Sequence, residues 1–72
     1  MLALIQVITY LRKHCTEDEI RLAFLDLNAG RTQVDDFLWN VGLELSPAMH
    51  KRFCECLPKF ESAMTVAKLL AN

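Results

Sequence analysis

The chain has 72 residues, 53% of them apolar, and a net charge of −1 from eight basic and nine acidic side chains. That length fits one domain near the lower limit for a fold held by a single hydrophobic core. The charge balance excludes a strongly basic footprint, and an odd count of three cysteines argues against a disulfide framework and for a reducing, cytoplasmic-type compartment.

The apolar stretch Met1 to Leu11 has no preceding positive charge and no small-residue cleavage site, and it is too short to span a bilayer. It reads as a first helix from about Leu2 to Lys13. Leu4, Ile5, Ile8 and Leu11 make one face, and Ala3, Val7 and Tyr10 make a second. A helix apolar nearly all round is either central in its fold or shared between two molecules. In so short a chain the second option gains weight.

The second helix has the clearest start. Thr16 is a capping residue and Glu19 stands three positions later, the capping-box pattern. Glu17 and Asp18 suit the positive end of the helix dipole. Ile20, Ala23, Phe24 and Leu27 form its stripe, while Leu22 and Leu25 lie off it. Asn28-Ala29-Gly30 ends the helix, with Gly30 suited to a left-handed cap.

A third helix is expected to begin at Thr32 as cap, with Asp35 three positions on. Val34, Phe37, Leu38 and Val41 line one face, Trp39 lies off it, and Gly42 stops the helix. Leu43-Glu44-Leu45 is a short connector. Ser46 then caps a fourth helix with Pro47 in its first turn. Met49, Phe53, Cys56 and Leu57 share a face, and Pro58 ends or kinks the helix. A last helix runs from about Lys59 to Leu70 on a stripe of Phe60, Ala63, Met64 and Ala67, broadened by Val66, Leu69 and Leu70. The expected fold is all-α: a compact array of four to five short helices forming a single domain over residues 1–72.

Charge is unevenly spread. The middle of the chain, residues 16–45, carries seven acids against Arg21 and Arg31, between mildly basic ends. Solvated helix faces account for this pattern, although complementary potentials also steer association.

Candidate chemistry is sparse. His14, Cys15, His50 and Cys54 would supply four zinc donors if the first and fourth helices packed together, but there is no C-x-x-C pair and the cysteines read as packing residues. His50 and Cys54 meet only the spacing of a nucleophile–base pair. No catalytic residue, metal, cofactor or small-molecule substrate is expected.

The third and fourth helices, joined through Gly42, loosely resemble a helix-turn-helix. The resemblance covers Thr32 to Leu57 and implies that His50, Lys51 and Arg52 face the groove or the phosphates. The connector is longer than that family's, and Asp35, Asp36 and Glu44 bring repulsive charge. The region from Thr16 to Leu38 also resembles the outline of an EF-hand. Counting Asp26 as first ligand puts Gly30 fifth and Phe37 twelfth, so no calcium-binding set results.

More apolar side chains remain than the stripes need. Ile5, Ile8, Tyr10, Leu22, Leu25, Trp39, Leu43 and Leu45 are therefore the candidate protein interface, with Val66 and Leu69 adding to the surplus. The leading expectation is a small non-enzymatic regulatory or adaptor protein, a homodimer binding itself or another protein. A DNA-binding regulator reading through the fourth helix is the alternative.

Overall fold

The computed structural model describes residues 1–71, and the expected all-α class is what it shows. Five α-helices follow one another: α1 (Leu2–Leu11), α2 (Glu17–Asn28), α3 (Val34–Val41), α4 (Pro47–Cys56) and α5 (Phe60–Ala71). A single 3-10 turn, Leu57–Lys59, joins the last two. No strand occurs among the described residues.

Local chemistry sets most boundaries. Both halves of the capping box form at α2: Glu19 N–H donates to the Thr16 hydroxyl at 3.2 Å, and Thr16 N–H donates to Glu19 Oε1 at 2.8 Å. Ser46 accepts from Met49 N–H, and Pro47 occupies the first turn of α4 where no donor is required. Gly42 adopts φ +77°, and its N–H and that of Leu43 donate to the Trp39 and Leu38 carbonyls. This paired cap ends α3 and requires the left-handed conformation that glycine reaches without strain.

The start of α3 differs from the pattern reading. Its cap is Gln33, which makes no side-chain capping bond, and not Thr32. The N–H groups of Arg31 and Thr32 both donate to the Asp26 carbonyl, closing the end of α2. Thr32 thus serves the end of one helix, and the next begins two residues later.

The core is aromatic at its centre. Phe24 of α2 is fully buried, with ring centroids 6.2 Å from Phe37 of α3, 6.2 Å from Phe53 of α4 and 5.7 Å from Phe60 of α5. Each of the four later helices therefore contributes one phenylalanine to a single cluster. The first helix covers that cluster from outside, packing chiefly on α5 and α4. It buries Ala3, Leu4, Val7, Ile8 and Leu11, residues drawn from both of its apolar faces. Ala63 and Ala67, both buried, keep the facing side of α5 shallow enough for that approach.

Polar staples hold the helix ends. Arg12 Nε donates to Glu17 at 2.8 Å and its Nη2 donates to the Met64 carbonyl at 3.1 Å, tying α1, α2 and α5. Asn28 Nδ2 donates to the carbonyls of Phe24 and Leu57, pinning the end of α2 to the turn around Pro58. The Tyr10 hydroxyl donates to the Val41 carbonyl at 2.9 Å, joining α1 to the end of α3. Arg21 pairs with Glu61 at 3.0 Å across α2 and α5, which raises the guanidinium pKa further above its ordinary value.

Truncating the hub removes three ring contacts at once. Phe24→Ala is expected to cost about 3–5 kcal/mol, comparable to the whole stability of a domain this size, so urea melts followed by circular dichroism should find it largely unfolded. A second expectation concerns acid. Hydrogen bonds from the Thr16 backbone, then from the Thr16 side chain, hold the Glu19 carboxyl below the usual glutamate range. A carboxyl depressed in the folded state contributes stability above its ordinary pKa and loses it as pH falls through the folded value. Glu19→Gln keeps the box without titrating. Thermal melts between about pH 5 and pH 2 should therefore fall less steeply for the variant than for the parent.

Candidate functional site

Helical geometry turns Trp39 outward. The short α3 buries Phe37 and Leu38 and half-buries Val34 and Val41. Those four positions make one stripe, and residue 39 is rotated about 100° from Leu38, off the stripe. The indole is 85% exposed, the highest value among the large apolar side chains. The glycine cap then brings Leu43 back against the core edge. Trp39, Gly42, Leu43 and Glu44 together line a shallow depression of about 350 Å³.

A second apolar strip lies on α2. Ile20, Phe24 and Leu27 face the core, which leaves Leu22 61% exposed and Leu25 42% exposed, one helical turn apart. Leu2 at the start of α1 and Leu69 and Leu70 near the end of α5 are also exposed. Leu69 and Leu70 broaden the stripe of the last helix, while Leu2 is not singled out by the sequence pattern.

The candidate interface residues fall into three groups. Leu22, Leu25 and Trp39 stand at the surface. Ile5, Tyr10, Leu43 and Leu45 are half-buried against the core. Ile8 is 0% exposed and belongs to the interior. The idea that both faces of the first helix serve a second molecule is thereby corrected for Ile8, which is buried in the chain's own core. Tyr10 is held too, by its bond to Val41 and by an edge-on contact with His14 at 5.9 Å between centroids.

On α4, Lys51 and Arg52 are exposed and make no ion pair among the described residues. His50 is engaged differently. Its Nε2 lies 2.7 Å from Asp35 Oδ1 on α3, and its Nδ1 lies 3.7 Å from Cys54 Sγ one turn along α4. A groove-facing role for His50 would therefore carry a carboxylate to the nucleic acid with it. Sequence spacing shows the His50–Cys54 neighbourhood, but no local signal reveals Asp35. The first and fourth helices do pack together, yet no group of three or more metal-ligating side chains is assembled among the described residues. Cys15, Cys54 and Cys56 are all half-buried free thiols. Among the described residues, no helix is long and apolar enough to cross a membrane.

With this geometry in hand, comparison with protein families, characterised proteins and solved structures yields no match to the chain.

Neighbouring residues on α3 should separate surface from scaffold. At a concentration low enough that the chain is monomeric, Trp39→Ala is expected to change folding stability by less than about 0.5 kcal/mol, as for an exposed side chain without special contacts. Leu38→Ala, one residue away, should cost about 2–5 kcal/mol by opening the core. Chemical denaturation of the two variants beside the parent checks the contrast.

Proposed function

We propose that this chain is a small non-enzymatic regulatory or adaptor protein that works by binding protein, in the first instance a second copy of itself, with Trp39 as the anchor. The observation that carries the reading is the 85% exposure of the one tryptophan beside an apolar depression. Tryptophan is among the residue types that dominate binding energy when they become desolvated at an interface. The free thiols suit a reducing, cytoplasmic-type compartment.

Area sets what such a contact needs. The molecule exposes 4842 Å², close to the roughly 4600 Å² expected for a monomer of its mass. The fold is thus closed by itself, and its distinguishing feature is the kind of side chain on the surface. A stable interface buries about 800 Å² per partner. One indole supplies at most about 250 Å². The contact therefore needs a second apolar element, which the Leu22–Leu25 strip on α2 or the Leu69–Leu70 pair on α5 can supply.

The alternative DNA reading keeps one specific support: Lys51 and Arg52 stand free on a helix whose start is capped by Ser46. Duplex binding of this kind would weaken steeply with salt. Lys51→Ala and Arg52→Ala would each lower the slope of log K against log salt by about one.

Light scattering of the reduced protein over a wide concentration range tests the leading reading. The expected mass is twice the 8.3 kDa of the chain. Trp39 emission should shift to the blue as the dimer forms, and Trp39→Ala should return a monomer that remains folded. A monodisperse monomer at the highest concentration, with the emission of a solvated indole, would overturn the self-association.

A further inference from the structure

We propose that Cys54 is a thiol modification site, activated by His50 and Asp35, that forms mixed disulfides with low-molecular-weight disulfides. The three groups stand in series. Asp35 Oδ1 is 2.7 Å from His50 Nε2, and His50 Nδ1 is 3.7 Å from Cys54 Sγ. An ionised carboxylate only accepts hydrogen bonds, so His50 Nε2 carries the hydrogen. Nδ1 then presents its lone pair, and the Cys54 thiol is the group that donates to it. The ring is fixed in the tautomer that takes a proton from sulfur, and the carboxylate stabilises the imidazolium that results. Cys54 is half-buried, so it remains within reach of a small reagent.

The arrangement comes from two elements. His50 and Cys54 share a face because they are four apart on α4, and the Gly42 turn with its short connector brings Asp35 in the first turn of α3 beside them. Cys15 and Cys56 lack such a histidine partner among the described residues; Cys56 Sγ instead accepts from the Met1 ammonium at 3.1 Å, a positive charge that also favours a thiolate, so Cys15 is the reference thiol.

The reaction balances without a further oxidant. The Cys54 proton moves to His50 Nδ1, and the thiolate attacks one sulfur of the disulfide. A new S–S bond forms to Cys54 as the reagent's own S–S bond breaks. The departing thiolate takes the proton from His50 and leaves as a free thiol. Cys54 is oxidised to the mixed disulfide, and the departing sulfur is reduced.

The test uses the full chain and hydroxyethyl disulfide, a neutral reagent, at neutral pH. Mass spectrometry with fragmentation reads the rate at each cysteine in the same molecule. Cys54 should react about tenfold faster than Cys15, as for a thiol with an adjacent base. His50→Gln should bring Cys54 down to the rate of Cys15 while leaving Cys15 and Cys56 unchanged. Asp35, which acts through His50, is a positioning residue. Asp35→Asn should lower the Cys54 rate and Asp35→Glu should restore most of it, and neither replaces a packed side chain. Equal rates at Cys54 and Cys15 in the parent would overturn the proposal. So would a Cys54 rate that is the same in the parent, His50→Gln and Asp35→Asn.

Discussion

The packing of Phe24 against three other phenylalanines is the contact on which the rest of the molecule depends. Four short helices, none of them stable alone at eight to twelve residues, each direct one ring to the same point. Ring planes range from nearly stacked, 17° with Phe60, to tilted by 47° and 49° with Phe53 and Phe37. That mixture fills an irregular space without aligning the helices, which suits an array joined by short turns. The polar staples at Arg12, Asn28 and Tyr10 act at the periphery, where they close helix ends that the rings leave open.

The place of α1 follows from this centre. The rings alone leave one side of the α4–α5 layer uncovered, and a helix apolar on two faces closes it. Both of those faces contribute buried residues, and α5 and α4 are the helices α1 chiefly packs on. Apart from Leu2 at its start, the apolar surplus of the sequence is consequently not at α1. It emerges on α2, α3 and the end of α5, where leucine or tryptophan stands just outside a buried stripe. The proposed protein contact therefore draws on side chains just outside the buried stripes, and least on the buried faces of the most hydrophobic helix.

The α3–α4 junction carries a different kind of chemistry. It brings an acid, an imidazole and a thiol into one line through a turn of a few residues. The same junction carries the helix-turn-helix resemblance. The Asp35 carboxylate, which would oppose a phosphate backbone, is the group that orients His50 toward sulfur.

The chain by itself determined what local geometry governs. The Thr16–Glu19 capping box, the Ser46–Pro47 start, the Gly42 stop and the break at Pro58 all rest on bonds or clashes within a few residues, so each could be read without a structure. Helical periodicity equally put Leu22, Leu25 and Trp39 outside their stripes, since that follows from rotation about one axis. Only the tertiary structure decided the burial of Ile8, because it depends on which neighbours cover a helix with two apolar faces. The same holds for Arg12 reaching Met64, Asn28 reaching Leu57 and His50 reaching Asp35, contacts separated by 52, 29 and 15 residues. Thr32 shows the boundary between the two. It has the side chain of a cap, but its N–H was taken by Asp26 of the preceding helix, and a competition between two helix ends is settled by the path of the chain in space.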